Sequence, residues 1–365
     1  MIDYQNFKVQ EVQGRYVTYP HINGFLSSLS SNFKIDDLGK SVQKNKIKSI
    51  TFGNGPIQIL MWSQMHGNES TTTKAVLDLL NYLNSFSQES LAIRETCTLK
   101  IIPILNPDGA LAYTRVNANK IDLNRDAKDL SQPESRILSG LCESFAPHYC
   151  LNLHDQRNIF NVGESSKPAT VSFLAPAFDE DRNNSPSRKI SMQLIAAMNS
   201  ELQKLIVGQV GRYDDGFNPN CVGDAFQMKE IPTILFEAGH FPEDYQREKT
   251  RELIFLALLK CINTIKDQEI SNYTIDQYLE IPENSKRYVD VLVLNPNIVS
   301  PYYNKSSLVS ILYKEELKEG KILFRPEVLL HEDKNTAVYG HRTVDCSKNE
   351  DIDWMKEKGI FKLLT

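Results

Sequence analysis

The sequence predicts an α/β domain followed by a smaller β-rich one. Apolar runs that read as buried strands pass through short polar turns into helically spaced apolar residues. The clearest case runs from Ile59–Trp62 through His66–Glu69 to Ala75, Val76, Leu79, Leu80 and Leu83. Strand and helix go on alternating to about residue 265, the pattern of an α/β unit. Beyond about residue 268 only short β-rich runs between polar turns remain. The expected division is a larger domain over residues 1–268 and a small β-rich domain over residues 269–365.

Taken in order, residues 1–45 read as a lead-in with short helices near Phe25–Leu29 and Ile35–Val42. Ile47–Phe52 reads as a strand, Gly53–Pro56 as a turn, and Ile57–Trp62 as the next strand. A helix over Glu69–Phe86 precedes a buried strand at Leu99–Leu105, which stops at a tight turn, Asn106–Gly109. Thr114–Asp126 has no apolar period and reads as loop. A helix from Pro133 to Phe145 leads to a strand at Tyr149–Leu153, and Val171–Ala175 is another. Residues 176–188 are polar loop, Lys189–Val207 has helical spacing, and Gly208–Gly223 is a Gly/Asp/Asn-rich loop. Thr233–Phe236 is a strand and Asp244–Ile265 a long helix. In the last region Tyr288–Leu294, Leu308–Leu312 and Ile322–Phe324 read as strands.

Composition narrows the function. With 41% hydrophobic and 24% charged residues this is an ordinary globular chain. A formal charge of -5 argues against nucleic acid as a partner, since phosphate binding wants a basic face. No apolar run approaches the roughly 18 residues that span a bilayer, so no membrane partner is expected. The first ten residues lack the basic-then-apolar pattern of a signal peptide, which points to a cytoplasmic protein. The cysteines at 97, 142, 150, 221, 261 and 346 contain no C-x-x-C and read as reduced thiols.

The chemistry gathers at strand ends. In open α/β sheets ligands bind beyond the carboxyl ends of strands, where the H-G-N-E turn stands. His66 and Glu69 are three apart, so one turn aims an imidazole and a carboxylate at one point, and both are zinc ligands. Gly67 is expected to let the backbone turn without a clash. The spacing alone equally suits a polar turn with a helix-capping Glu, and it recurs at His240 and Glu243. His154 ends its own strand and is either a structural histidine or a third ligand. Three protein ligands with the fourth position left to water is the catalytic zinc pattern. Glu237 follows three large apolar residues directly, as a capping residue or as a general base beside an activated water. Arg115 and Arg125 bracket the loop, with Asn124 adjacent. Each Arg is a solvated charge, or a cation for an oxyanion or a free carboxylate.

These residues resemble a known family, the carboxypeptidase A-like zinc peptidases. The resemblance rests on H-G-N-E (66–69), N-P-D-G (106–109), R-V-N-A-N-K-I-D-L-N-R (115–125), His154, and the glutamate of F-E-A-G at 237. It implies one zinc per chain on His66, Glu69 and His154. It also implies oxyanion help from Arg115, a carboxylate clamp of Asn124 and Arg125, and Glu237 as general base. The implied fold is an α/β/α sandwich with a mixed, mostly parallel eight-stranded sheet. The implied activity is zinc-dependent hydrolysis of the C-terminal peptide bond of a peptide. Tyr213, in G-R-Y-D-D-G-F, stands at about the distance before Glu237 expected of the family's substrate-covering tyrosine.

The sequence also departs from the family's pattern. Asp155-Gln156 follows His154 where pancreatic-type enzymes have Ser-Tyr, and Asp126-Ala127 replaces Asn-Phe. The L-H-D shape resembles the aspartoacylase and succinylglutamate desuccinylase branch, which also carries a small C-terminal β domain. That keeps a second reading open, a zinc amidohydrolase removing a small acyl group from an N-acyl amino acid. N-P-D-G and the nine-residue step from Arg115 to Asn124 instead resemble bacterial carboxypeptidases. His21, His331 and His341 lack evident partners and read as structural or surface residues. His240 and Glu243 with Asp244 read as the capped start of the last long helix.

Overall fold

The computed structural model describes residues 3–331 and 338–365. Helix α1 (Tyr19–Ser28) leads into strands β1 (Phe33–Lys40), β2 (Lys46–Phe52) and β3 (Ile57–Ser63). Helices α2 (Thr71–Leu83) and α3 (Gln88–Thr96) return the chain to β4 (Cys97–Ile102). Helices α4 (Pro107–Ala112) and α5 (Pro133–Phe145) precede β5 (Tyr149–Asp155), the short β6 (Asn161–Val162) and β7 (Val171–Leu174). Then come α6 (Pro186–Leu202), β8 (Val210–Arg212), α7 (Val222–Met228), β9 (Thr233–Ala238) and α8 (Glu248–Lys266). The last stretch holds α9 (Ile275–Leu279), β10 (Asn284–Ser285), β11 (Tyr288–Leu294), β12 (Leu308–Lys318), β13 (Lys321–His331), β14 (Tyr339–Asp345) and α10 (Asn349–Glu357).

Eight strands form one sheet in the order β1-β2-β4-β3-β5-β9-β7-β8. The pairings β4/β3, β3/β5, β5/β9 and β7/β8 are parallel, and β1/β2, β2/β4 and β7/β9 are antiparallel. The mixed, mostly parallel sheet expected from the resemblance is therefore present. Its central strands are buried on both faces, which is why they read as unbroken apolar runs. Ile59 and Met61 of β3 face a core built with α2, α6 and α8. Leu60 and Trp62 face the opposite core, with Leu138 of α5 and Phe226 of α7. A two-residue side-chain period on a strand covered on both sides gives the α/β/α layering.

Several expectations are corrected. Ile35–Val42 is not a helix; it lies largely in β1, an antiparallel edge strand whose register shifts between Asp37 and Gly39. An edge strand covers little apolar surface, so its sequence carries no clear two-residue alternation. The Gly208–Gly223 loop contains β8, only three residues long, and Asn106–Gly109 is the capped first turn of α4. Helix α8 starts at Glu248, not Asp244, and Glu243 stands outside it at φ +64°. Asp244 still caps this helix, since its carboxylate accepts the Lys249 N–H.

The second sheet has the order β13-β12-β11-β14 and its own apolar cluster, including Val291, Val293, Ile311, Val344 and Met355. Its long β12/β13 hairpin turns at Glu319-Gly320, both at positive φ, the turn geometry that matches strand twist. Tyr278 and Ile281 pack into the core of the large sheet. No helix among the described residues is long and apolar enough to cross a membrane. The six cysteines are unbonded, and only Cys221 is not buried.

Candidate active site

The H-G-N-E turn is held from several sides. Gln64 takes a left-handed φ of 45°, and its side-chain amide donates to the carbonyls of Val17 and Gly67. Gly67 serves close packing rather than turning: a Cβ there would lie 1.9 Å from the carbonyl carbon of Gly109. The two sequence motifs thus pack on each other. Asn106 secures the contact, accepting the Gly109 N–H at 2.8 Å and donating to the Met65 carbonyl at 3.2 Å. Asp155, at the end of β5, accepts the Thr71 and Thr72 N–H groups at 2.8 and 3.2 Å. It therefore caps α2 and ties the residue after His154 to the helix after Glu69.

Three donors converge as a result. His66 Nδ1 lies 2.8 Å from Glu69 Oε1, and His154 Nδ1 lies 2.8 Å from Glu69 Oε2 and 3.0 Å from His66 Nδ1. Among the described residues this is the one group of three or more His, Cys, Asp or Glu whose ligand atoms converge, all within 4.8 Å of one another. Two imidazoles and one carboxylate, with no thiolate, suit zinc in a site that keeps a position open. His66 Nε2 lies 2.9 Å from Asp122 Oδ1. A carboxylate on the far nitrogen of a histidine fixes the tautomer and orientation of a metal-ligating ring.

Electrostatics in the cluster follow from crowding. Burial opposes charge on His66, but Glu69 and Asp122 outweigh it and raise its pKa. Burial lowers that of His154. Glu69, though buried, is held well below the usual carboxylate range by the two histidines. Glu237 sits opposite His154 in the β5/β9 register. Burial and then the Glu69 and Asp155 carboxylates push its carboxyl well up, and its Oε2 has no hydrogen-bond partner among the described residues. A dication at the convergence point inverts these tendencies.

All eight residues singled out in the sequence, His66, Glu69, Arg115, Asn124, Arg125, His154, Tyr213 and Glu237, line one cavity of about 380 Å³. Arg115 donates to Glu69 at 3.3 Å and to Asp122 at 3.0 Å. Asn124 accepts the Val222 N–H at 3.1 Å, and Arg125 donates to the Asn124 carbonyl at 2.8 Å. Tyr213 packs edge-on to Phe160, centroids 5.3 Å apart. The loop carrying the arginines is shaped by Asn117, which accepts the Asn119 and Ile121 N–H groups and donates to Gln132.

The profile of the zinc carboxypeptidase family matches residues 19–216, more than half of the chain. The chain belongs to the zinc carboxypeptidase family. Carboxypeptidase 2 of Trichophyton equinum is 25% identical over 152 residues, covering 40% of this chain and 27% of that protein. Carboxypeptidase SOL1 of Arabidopsis thaliana is 31% identical over 133 residues, 31% of this chain and 27% of that protein. The aligned stretch spans about a quarter of the length of these curated relatives. The crystal structure of a metallo-carboxypeptidase from Burkholderia cenocepacia superimposes with a TM-score of 0.54 at 15% identity, covering 69% of this chain and 70% of that one. This likeness shows a shared fold.

Around this cluster, sequence reasoning missed Asp122 and Asp155. Asp122 lies inside the D-L-N-R motif, but its partner His66 is 56 residues away. In sequence Asp155 stands out only as a departure from the family pattern. Three histidines also differ from expectation, and His21 is one: its Nδ1 accepts the Thr18 N–H at 3.1 Å in a capping box at the start of α1. His341 is partnered: its Nε2 lies 2.7 Å from the Asn158 carbonyl and its ring stacks on Tyr288. His240 does not cap a helix; it is buried against His341, ring centroids 4.1 Å apart.

Proposed function

We propose that the protein is a zinc-dependent metallocarboxypeptidase that releases the C-terminal residue of a peptide. The observation that supports this best is the single cavity joining the His66–Glu69–His154 donors to Glu237, Arg115, Asn124, Arg125 and Tyr213. In this reading His66, Glu69 and His154 would hold a zinc ion, which would supply Lewis acidity towards the scissile carbonyl and a water of lowered pKa. Glu237 takes the proton of the attacking water and hands it to the leaving amine. Arg115 places positive charge where the oxyanion develops. Arg125, with Asn124, grips the free carboxylate, a pairing for which a guanidinium fork is suited. Tyr213 and Phe160 cover the departing residue. Asp122 orients His66, and Asp155 holds α2 so that Glu69 faces His154. Residues 1–268 act as the catalytic domain in this reading, and residues 269–365 as an accessory domain.

One observation favours a peptide over a small N-acyl amino acid. A second cleft of about 360 Å³ adjoins Glu69 and Arg115. A peptide needs such room upstream of the scissile bond, and a small acyl group does not. The test is turnover by the zinc-loaded protein of blocked dipeptides and tripeptides against N-acetyl and N-succinyl amino acids. Release of the last residue from a tripeptide at a rate matching a blocked dipeptide supports the proposal. Turnover confined to short N-acyl amino acids overturns it in favour of an amidohydrolase.

A further inference from the structure

The second cleft is shared between the two sheets. It adjoins the main cavity through Glu69, Arg115, Asp155, Gln156 and Arg157, which line both. Its other wall is β12 of the second sheet, at Leu312, Tyr313, Lys314 and Glu315. Asn124, Arg125 and Tyr213 line the first cavity and not the second. If the first cavity takes the departing residue, the second lies on the acyl side of the scissile bond.

Its charge is unbalanced. Five cationic side chains line it, Arg15, Arg115, Arg157, Arg247 and Lys314, against the acids Glu69, Asp155 and Glu315. Each acid is already committed, and three of the cations have carboxylate partners: Arg15 has Glu315, Arg115 has Glu69 and Asp122, and Lys314 lies 3.7 Å from Glu327. Glu69 serves the two histidines, and Asp155 caps α2. Glu315 bridges Arg15, at 2.9 Å, and the Tyr113 hydroxyl. Arg15 and Arg247 are 6% and 3% exposed, and burial together with Arg15 lowers the pKa of Arg247. Glu315 and Asp155 offset part of the cost of these adjacent buried cations. Arg157 is exposed and has no hydrogen bond or ion pair among the described residues. Three buried polar atoms beside the cleft, Arg15 Nε, Arg247 Nε and Asn68 Oδ1, also lack hydrogen-bond partners among the described residues.

Resting on the carboxypeptidase reading, we propose that this cleft is an acyl-side subsite for a carboxylate, with Arg157 and Lys314 as its specificity-determining residues. The carboxylate belongs to an acidic side chain in the one or two residues before the scissile bond; a dicarboxylic acyl group, which carries the same chemistry, is the outcome the third substrate pair distinguishes. A lysine or arginine at that position meets Arg157 and Arg247, which have no ion pair among the described residues, and the partly neutralised Arg15, Arg115 and Lys314. A large apolar residue finds only Leu312 and Tyr313 as apolar lining. The second sheet thereby contributes directly to substrate choice, since Lys314 is on β12.

The experiment uses the zinc-loaded full chain and pairs of blocked peptides that differ only as Glu or Gln at the first or second residue before the scissile bond. N-succinyl and N-acetyl amino acids form the third pair. A hydrogen-bonded charge pair is worth about tenfold or more in binding, so kcat/KM for one Glu form is expected at least about tenfold above its Gln twin. Arg157→Gln and Lys314→Gln each bring that ratio toward one, and 0.5 M salt reduces it. Equal kcat/KM within each pair overturns the subsite while leaving the carboxypeptidase reading intact. Turnover of the N-succinyl amino acid alone keeps the subsite and overturns the peptide as substrate. If nothing is turned over, calorimetry with the same peptide pairs as ligands decides: tighter binding of the Glu peptide, weakened by Arg157→Gln, supports the subsite, and equal Kd overturns it.

Discussion

His154 and Glu237 are direct cross-strand neighbours, paired in register on the parallel strands β5 and β9. Paired residues on adjacent strands put their side chains on the same side of the sheet. One register thus sets a candidate metal ligand beside a half-buried carboxylate whose Oε2 is buried and has no hydrogen-bond partner among the described residues.

That relationship gives the first prediction. Glu237→Gln keeps the size and hydrogen-bonding shape of the side chain and removes its proton affinity. The variant is expected to hold zinc and melt like the native protein, with kcat lower by about 10²–10⁴-fold. Metal content, a thermal melt and steady-state kinetics on a blocked dipeptide check it. Near-native kcat would move the base elsewhere.

A second prediction concerns the ring that Asp122 holds. Asp122→Asn keeps a hydrogen bond to His66 Nε2 but removes the carboxylate. Zinc affinity, measured by competition with a chelator, is expected to fall about 10–100-fold. Unchanged affinity would reduce Asp122 to a partner of Arg115 alone.

The proposed clamp, Asn124 with Arg125, and the proposed oxyanion donor, Arg115, are expected to separate kinetically. Arg125→Lys loses the guanidinium fork and is expected to raise KM strongly. Amidating the peptide's C-terminus removes the same contact, so the two losses should not add. Arg115→Ala should instead depress kcat, by about 10²–10³-fold, because its charge acts on the transition state. An Arg115→Ala effect confined to KM would assign that side chain to ground-state binding.

Acid stability rests partly on the tie between α2 and α8. Glu248 receives Lys74 at 2.5 Å, Lys8 at 2.9 Å and Arg251 at 3.1 Å. Burial opposes its charge, but Lys74 and the other cations outweigh burial and hold its carboxyl at about 2. The pair is not reciprocal: Lys74 is pulled down to about 8 because its own burial outweighs Glu248. The carboxyl is therefore the group to titrate. With its folded pKa below the ordinary value, Glu248 contributes stability that is present above about pH 4.5 and lost as the pH falls toward 2. Glu248→Gln should cost on the order of 3 kcal/mol at pH 7, and the gap from the native protein should close between pH 4.5 and 2. Urea unfolding at pH 7, 4 and 3 reads this directly. A gap that stays constant with pH would contradict it.

What the sequence disclosed follows from where each signal resides. β3, β5 and β9 were legible because a strand buried on both faces is a run of apolar residues. His66 and Glu69 were legible because one turn holds both. β1 was lost because an edge strand carries polar residues at most positions, and β8 because three residues in a Gly- and Asp-rich stretch make no pattern. The role of Gly67 was misread as turning freedom. Its cause is the backbone of Gly109, 42 positions away, which no local rule reports. Asp122, Asp155 and Arg157 share that limitation. Their surroundings are made by tertiary contacts, and in sequence each is one charged residue among many.

The central claim is that His66, Glu69 and His154 together hold one zinc. Metal content of the full chain after zinc loading and desalting, compared with His154→Ala handled identically, tests it most directly. The expected result is one zinc per native chain and little in the variant, with both proteins folded by circular dichroism. A folded His154→Ala that keeps a full equivalent of zinc would contradict the assignment.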